Sequence, residues 1–313
     1  MERKKGWYII INPRAGSGRA VQKWKQLKAQ LDGKGWKYEV AFTKGRTHAR
    51  HLTIQAAEKG HRKIIAVGGD GTNNEAINGI VEVRKREKID LQYALFPAGY
   101  GNDFARHFKY PLKPAAWLRA LETAEVRRQD LGMVEFQKNG SAIERYFANA
   151  AGVGYDAHVI RSIDKGIKGK KTSFLSTAIR ELRNFLPQSS LIQSVENEQS
   201  GKIYLMIAGI CKFAGKGMQL VPHAISNDGL LAITVVKELP KWKIIFNLPK
   251  LYSGKIHQLK ETDHWQTSSI LIEPIEGSSL LLEVDGELIG SAPCRIVTVP
   301  DFLHLLCPTS KKV

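Results

Sequence analysis

Three glycines and one aspartate form the densest group of chemically useful residues in this sequence. The segment Gly68-Gly69-Asp70-Gly71-Thr72 follows an apolar run over residues 63–67, and helical spacing begins directly after it. The pattern predicts a turn from a buried strand into a helix, where glycines let the backbone approach a ligand and free amides favour an anion. Asp70 adds a carboxylate that suits a Mg²⁺ ion between protein and phosphate. A tight turn in which Asp70 caps the helix is the alternative interpretation.

Two further turns carry acidic residues. Val284-Asp285-Gly286-Glu287 follows an apolar strand near the end of the chain, and Asn227-Asp228-Gly229 lies about sixty residues before it. An acid at the first of these turns could orient an acceptor hydroxyl and remove its proton, as phosphoryl transfer requires. A hairpin turn with solvent-exposed acids is the simpler interpretation of that turn. The Asn-Asp-Gly segment has the same turn chemistry.

The elements that would position the first turn alternate regularly. Strands are predicted over residues 6–11, 38–42, 63–67 and 91–96, each followed by a loop with Gly, Asn, Thr or Asp and then by a helical pattern. Four strand–helix alternations predict a doubly wound, Rossmann-like parallel sheet, in which ligands bind beyond the carboxyl ends of the strands. Amides of residues 12–16 and 68–72 would cradle phosphates there, with Thr43 and Asn74 adding polar contacts. Neither G-x-x-x-x-G-K-[ST] nor G-x-G-x-x-G is present.

The pattern changes near Asp130. Short strands rich in β-branched residues follow, predicted over residues 146–151, 203–211, 230–236, 270–272, 280–284 and 294–299. The sequence therefore predicts an α/β domain over residues 1–130 and a β-sandwich domain over residues 131–313, with the extreme C-terminus free to return to the first domain.

Charge narrows the class of partner. The formal net charge is +17, which favours nucleic acid, anionic membrane or a phosphorylated substrate. Lysines and aromatic residues are interleaved over residues 237–260, and Lys165, Lys168, Lys170 and Lys171 precede a helical pattern that ends near residue 186. Such segments are typical either of solvated faces or of helices that bind a membrane surface. No apolar run approaches the ~18 residues needed to span a bilayer, and the three cysteines have no metal-like spacing. We therefore expect a cytoplasmic protein whose membrane contact is peripheral.

Together the motifs resemble the diacylglycerol kinase catalytic family, which includes bacterial soluble lipid kinases and the eukaryotic sphingosine and ceramide kinases. The resemblance covers nearly the whole chain and depends on five motifs in order. These are Asn12-Pro13 with Gly16, the 68–72 turn, Pro97-x-Gly99-x-Gly101-Asn102-Asp103-Phe104-Ala105, Asn227-Asp228-Gly229 and Asp285-Gly286-Glu287.

The resemblance implies an ATP-dependent kinase that phosphorylates a lipid hydroxyl, most often that of diacylglycerol. Glu287 would be the catalytic base, assisted by Asp285, and Asp70 would join a magnesium-linked acidic network with Asp103 and Asp130. A structural Mg²⁺ would bind the Asp228 carboxylate and the carbonyls of Ile225 and Leu230. The implied ATP-binding residues are Asn12, Pro13, Arg14, Ala15, Gly16, Thr43, Gly69, Asp70, Gly71, Thr72, Asn73, Asn74, Glu75 and Tyr100.

Two residues depart from the family pattern. Tyr100 replaces a small hydroxyl residue, and Ala232 replaces an acid that often follows the Asn-Asp-Gly turn.

Two other functions stay open: an NAD kinase, which shares the Gly-Gly-Asp-Gly-Thr turn, and a degenerate kinase fold that binds anionic lipid or nucleic acid. For the lipid kinase we expect a lipid substrate at an anionic membrane surface and no nucleic-acid partner, and a homodimer stays open.

Overall fold

The computed structural model describes residues 5–165 and 174–308. The chain divides into two compact units, one made of Met1–Gln129 and Asp301–Val313 and the other of Asp130–Pro300. Both boundaries fall inside long strands. Lys168, Lys170 and Lys171 of the predicted basic segment lie outside the described residues.

The first unit has a parallel sheet built from apolar runs. Its strands are β1 (Trp7–Ile11), β2 (Tyr38–Phe42), β3 (Lys63–Gly68), β4 (Gln92–Pro97) and the end of a later strand, β15 (Cys294–Cys307). They are ordered β15-β4-β3-β1-β2, and the described pairings are parallel. The central strands β1 and β3 are buried almost throughout, as expected for a parallel sheet covered on both faces. The predicted parallel sheet is therefore confirmed.

Helices of the first unit pack apolar stripes on this sheet. In one of them Trp24, Leu27 and Leu31 recur at helical spacing and are buried. The helices are α1 (Arg19–Gly33), α2 (His48–Glu58), α3 (Asp70–Glu87), α4 (Asp103–His107) and α5 (Pro114–Glu122). The helices α1, α3 and α4 start at or soon after the carboxyl ends of β1, β3 and β4, so their preceding loops share one edge of the sheet.

The second unit is mainly antiparallel. Its strands are β5 (Glu125–Lys138), β6 (Ser141–Phe147), β7 (Ala150–Gly154), β8 (Gln188–Ser194), β9 (Glu198–Gly209), β10 (Leu231–Lys237), β11 (Thr262–Thr267), β12 (Ser269–Pro274), β13 (Leu281–Val284) and β14 (Glu287–Ser291). The central strand β9 pairs with β8 along its first half and with β7 and β10 along its second half. The order of the hydrogen-bonded strands is β14-β13-β7-β9-β8-β12-β15. In addition, β10 pairs with β11, and β5 pairs with β6.

Three helices enclose an apolar cluster against this unit's strands: α6 (Tyr155–Lys165), α7 (Phe174–Leu182) and α8 (Lys241–Ser253). The cluster includes Tyr204, Ile207, Met218 and Val236, with Phe174 packed against it. None of the helices in the described part of the chain is both long and apolar enough to cross a membrane.

The single strand predicted over residues 146–151 is wrong. The strand β6 ends at Phe147 and β7 begins at Ala150, so the two residues between them leave the sheet. Their amides do not pair with a neighbouring strand, because Ala148 and Asn149 donate hydrogen bonds to the Asp285 carboxylate instead.

Candidate functional site

The glycine turn lies where β3 ends and α3 begins. Asp70 is the first residue of α3, and no side chain caps that helix. A Cβ on Gly68 would lie 2.5 Å from the Thr72 side chain, so a larger residue cannot be accommodated there. The Thr72 hydroxyl accepts a hydrogen bond from Asn12 Nδ2 at 2.9 Å, which ties the turn to the first loop. The turn is therefore a preformed helix N-terminus.

The first loop follows β1 and has its own internal bonds. Asn12 Oδ1 accepts the Arg14 amide at 3.0 Å, and the Asn12 carbonyl accepts the Ala15 amide at 3.1 Å. Gly16 has a φ of 59°, and a Cβ there would lie 2.3 Å from the Ala98 carbonyl oxygen. This loop therefore packs on the loop that follows β4, and only glycine allows so close an approach.

The loop after β4 in turn contacts the glycine turn. A Cβ on Gly99 would lie 2.5 Å from Gly69 Cα. Asn102 fixes this loop by accepting the Gly99 amide at 2.9 Å and donating to the Gly99 carbonyl at 3.0 Å. Asp70 Oδ1 accepts the Phe104 amide at 3.3 Å, at the start of α4. Asp70 therefore links the glycine turn to the start of α4.

Several predicted ATP-binding side chains point into the protein. Asn73 is buried and accepts the Tyr93 hydroxyl at 2.8 Å, and burial raises the pKa of Tyr93 well above its usual value, so this hydroxyl stays a donor. Asn74 is buried and accepts a bond from Asn78 at 3.2 Å. Glu75 accepts the amides of Thr47 and Ala49 at the start of α2. These three side chains are therefore engaged within the protein, and the Asn73 amide is engaged as well, because it donates to the Gly69 carbonyl at 3.0 Å.

The other residues predicted to bind ATP range from buried to exposed. Thr43 is buried at the end of β2, where its amide donates to the Ile11 carbonyl at 2.8 Å. Pro13 is half-buried, and Arg14 is exposed in the first loop. Of the turn itself, Gly69 and Asp70 are half-buried and Gly71 is exposed.

Tyr100, the departure from the family pattern, lies across the first loop. Its hydroxyl and the Ser17 hydroxyl are hydrogen-bonded at 2.6 Å, and the Arg19 guanidinium stacks 4.6 Å from the ring centre. The ring is still 54% exposed. Tyr100 thus joins two loops of this edge while keeping a surface toward solvent.

Two of the three acids predicted to form one network, Asp70 and Asp103, belong to the first unit, and the third, Asp130, belongs to the second. Asp103 is buried at the first residue of α4, with Arg106 Nε 3.9 Å from its Oδ1. Asp130 is buried in the second unit, where it accepts the Gly229 amide at 2.8 Å. Its own amide donates to the Ser226 carbonyl. Asp130 therefore braces the Asn227-Asp228-Gly229 turn. Across residues 5–165 and 174–308, no three His, Cys, Asp or Glu side chains are grouped to hold a metal ion.

The Asn-Asp-Gly turn uses both carboxylate oxygens of Asp228. One accepts the Leu230 amide at 3.0 Å, and the other accepts Gln266 Nε2 at 2.7 Å. Ile225 is 53% exposed beside it. Each of the two Asp228 oxygens thus accepts one hydrogen bond and keeps a further lone pair.

The Asp-Gly-Glu turn is a two-residue hairpin loop between β13 and β14. Val284 pairs with Glu287, and Asp285 and Gly286 have φ values of 47° and 82°, as a type I′ turn requires. The Asp285 carboxylate accepts the amides of Ala148, Asn149 and Ala150 at 3.0, 3.0 and 3.1 Å. Asp285 is therefore an anchor that holds the turn to the break between β6 and β7.

Glu287, the predicted base, is held by a residue that the sequence did not single out. Its Oε2 accepts Arg145 Nη2 at 2.8 Å, and its side chain remains 42% exposed. Arg145 lies on β6, 142 positions away along the chain, and no local spacing relates the two.

Two further acids, Asp156 and Glu283, are buried in the same unit. The sequence did carry a signal for these, because Asp156 starts a helix after Gly152-Val153-Gly154 and Glu283 interrupts an apolar strand.

The second unit also encloses an apolar cavity of about 110 Å³. The helices α6, α7 and α8 and the strands β9 and β10 line it with apolar side chains such as Val159, Met218 and Leu251. Asp156 is its one charged lining residue among those described, and Asn247 its one amide. The cavity suits a hydrocarbon chain with a polar group at one end.

The fold and these sites define a class of two-unit proteins, in which a parallel α/β sheet with glycine loops along one edge is combined with an antiparallel unit that contains an apolar cavity. The diacylglycerol kinase catalytic domain family matches residues 6–134, and the YegS C-terminal NAD kinase beta sandwich-like domain matches residues 149–307. This chain belongs to the diacylglycerol kinase catalytic domain family. The predicted family and the β-sandwich-like second domain are thereby confirmed.

Individual relatives extend over most of the chain. A probable lipid kinase YegS-like of Chromohalobacter salexigens is 31% identical over 82% of this chain and 79% of its own. A diacylglycerol kinase of Mycobacterium tuberculosis is 27% identical over 96% of this chain and 94% of its own. The crystal structure of a diacylglycerol kinase from Bacillus anthracis superposes with a TM-score of 0.73 at 20% identity and covers 100% of both chains, which supports the fold.

Proposed function

We propose that this protein is an ATP-dependent lipid kinase that transfers the γ-phosphate of ATP to a lipid hydroxyl, with diacylglycerol as the acceptor. Family membership supports phosphoryl transfer. The observation that carries the lipid acceptor is the apolar cavity of the second unit, because a cavity lined almost entirely by hydrocarbon fits an acyl chain and gives a dinucleotide few polar partners. The relatives named as diacylglycerol or lipid kinases agree with this choice.

ATP would bind the glycine loops of the first unit. Amides of the first loop and of the 69–72 turn would contact its phosphates, since both present backbone N–H groups at the carboxyl edge of a parallel sheet. Asp70 fits a Mg²⁺ ion, because it is a half-buried carboxylate beside these amides and Mg²⁺ favours one or two carboxylates plus phosphate oxygens. The ion would neutralise charge on the phosphates. Asp70 is positioned for this role by the Phe104 amide.

The acceptor hydroxyl would lose its proton to Glu287. The carboxylate is exposed enough to receive a proton, and Arg145 fixes its orientation through a charge-assisted hydrogen bond. Asp285 assists by anchoring the turn. Asp228 would hold a structural cation, because each of its oxygens accepts one hydrogen bond and keeps a further lone pair.

We further propose that the enzyme works in the cytoplasm at an anionic membrane surface, which α8 contacts. On one side of this helix Ile244, Leu248 and Leu251 line the cavity. On the other, Trp242 and Phe246 are 59% and 76% exposed, with lysines at positions 241, 243 and 250 nearby. Aromatic residues flanked by lysines favour binding at an anionic interface, and each basic residue there contributes ~1 kcal/mol.

The test is phosphate transfer from γ-labelled ATP and Mg²⁺ to a panel of diacylglycerol, monoacylglycerol, ceramide, sphingosine, phosphatidylglycerol and NAD. We expect labelled diacylglycerol phosphate with the wild type, and its loss in Asp70→Ala and Glu287→Gln variants that remain folded. Labelled NADP, formed by transfer of the phosphate to NAD, would instead establish an NAD kinase. Strong vesicle or nucleic-acid binding without transfer to any acceptor would establish a binding protein.

A further inference from the structure

Two carboxyl groups lie side by side in the interior of the second unit, next to the Asp-Gly-Glu turn. Glu283 on β13 pairs with Gly152 on β7. Asp156, at the start of α6, occupies the space that a side chain at position 152 would fill, since a Cβ there would lie 1.7 Å from Asp156 Oδ2. Glycine at 152 thus leaves room for the Asp156 carboxyl beside Glu283, and each carboxyl group affects the pKa of the other.

Burial decides how this pair is charged. Asp156 is 8% and Glu283 6% exposed. Among the described residues, neither Asp156 oxygen has an N–H or hydroxyl donor in good hydrogen-bonding geometry. Two neighbouring carboxyl groups buried in this way favour a state in which only one of them is ionised, and a proton on the other would supply the missing donor. Burial raises the pKa of Asp156 to about 6, and burial together with the Asp156 charge raises the pKa of Glu283 well above its usual value.

The pair is connected to the turn by one hydrogen bond. Glu283 Oε2 accepts the amide of Gly286, the central residue of the turn, at 2.8 Å. Asp285 and Glu287 on either side of that residue are held by backbone amides and by Arg145. The Glu283 bond fixes the middle of the turn in the same way.

We propose that Asp156 and Glu283 share a single proton and act as positioning residues for the Asp285-Gly286-Glu287 turn. This rests on the proposed function insofar as Glu287 is the base. Loss of the shared proton would leave two adjacent negative charges, whose repulsion would move Glu283 and with it the Gly286 amide. Asp285 also raises the pKa of Glu283. The other titratable or charged groups on the elements packed around the pair are Glu144, Arg145, Tyr146, Glu287, Tyr155, His158, Arg161, Asp164, Lys165, Arg180, Glu181, Glu198, Lys202 and Tyr204.

An infrared measurement tests the shared proton without any assay of activity. At neutral pH the spectrum of the wild type minus that of Glu283→Gln is expected to contain the C=O stretching band of a protonated carboxylic acid, which shifts in D₂O. The matched control is Glu276→Gln, a change at an exposed glutamate, whose difference spectrum lacks the band. Absence of the band from the Glu283→Gln difference would overturn the proposal.

Kinetics test the positioning role. Glutamine at position 283 can still accept the Gly286 amide and donate to Asp156, so Glu283→Gln should keep most of the wild-type kcat at neutral pH. At alkaline pH the kcat of the wild type should decline, because the shared proton is lost, whereas the kcat of Glu283→Gln should not. Glu283→Leu removes both bonds at similar size and should lower kcat by ~10-fold to ~100-fold with KM for ATP unchanged. Equal loss in both variants, or an alkaline decline that persists in Glu283→Gln, would contradict the proposal. If no acceptor is phosphorylated, the proposed function fails while the infrared result still decides the protonation of the pair.

Discussion

At the scale of single residues, the acids of this protein divide into those that hold the fold and those left with a surface toward solvent. Asp285, Asp130 and Glu75 accept backbone amides from distant segments. Asp70 and Glu287 also have partners, but both side chains remain partly exposed. This division assigns the proposed metal and base chemistry to Asp70 and Glu287, and a supporting role to Asp285.

Asp285→Asn should destabilise the second unit, because the amide group replaces one acceptor oxygen with a donor that faces a backbone N–H. A buried donor left without its partner costs ~1–3 kcal/mol, so we expect the free energy of unfolding in urea to fall by about that much. Asp164→Asn is the matched control, since that side chain is exposed near the end of α6. Equal stability of the Asp285 and Asp164 variants would refute the anchoring role.

The buried pair should also make stability depend on pH. The pKa of Glu283 is raised above its ordinary value of 4.5, so its stabilising contribution is complete below that pH and is lost as the pH rises toward the folded-state pKa. Relative to Glu283→Gln, the wild type should therefore lose up to about 1.4 kcal/mol of unfolding free energy per pH unit above 4.5. Urea titrations of both proteins across this range measure the slope. Parallel curves would mean that Glu283 ionises normally.

At the scale of elements, strands and loops with local signatures could be predicted from the sequence, and contacts between distant segments could not. The glycine turn, the first loop and the Asp-Gly-Glu hairpin follow from residue types within a few positions. The break between β6 and β7 depends on Asp285, which is more than 130 positions away. The strands β8 and β11 were not predicted, because QSSLIQS and TDHWQT carry too few apolar residues for a clear alternation.

Gly99→Ala tests whether the loops at the edge of the first sheet must pack so closely. The new methyl group would overlap Gly69 Cα, so the loop after β4 has to shift away from the glycine turn. We expect ~1–3 kcal/mol of destabilisation and weaker ATP binding, measured by urea unfolding and calorimetry. Gly33→Ala at the end of α1 is the control, because a Cβ there meets nothing within 4 Å. Normal ATP affinity of the Gly99→Ala variant would show that the contact between these two loops does not shape the nucleotide site.

The helix α8 should bind anionic vesicles through its outward aromatic residues. Replacing Trp242 and Phe246 with serine removes apolar area that would enter the interface, and we expect Kd to rise ~30-fold, equivalent to roughly 2 kcal/mol. The measurement is binding to phosphatidylglycerol vesicles at low and high salt. Val195→Ser is the control, since Val195 is 89% exposed but lies on the β8–β9 turn. Equal effects of the two changes, or equal binding to neutral vesicles, would argue against α8 as an anionic-membrane contact.

At the scale of the whole molecule, the sequence sufficed to predict the fold class, because the strand–helix alternation and the later run of short strands are repeated over long stretches. The site was predicted less completely. Motif residues were recognisable by type, but Arg145 and the Asp156–Glu283 pair are defined by contacts across 142 and 127 positions. The net charge of +17 and the apolar cavity both support the proposed substrate, a lipid presented by an anionic surface.

The most direct test of this account is the rate of phosphate transfer from γ-labelled ATP to diacylglycerol, compared between the wild type and Glu287→Gln. Loss of a general base lowers such rates by ~10²-fold to ~10⁴-fold, and we expect that loss with ATP binding unchanged. Transfer at the wild-type rate by Glu287→Gln would contradict the assignment of the Asp-Gly-Glu turn as the catalytic base.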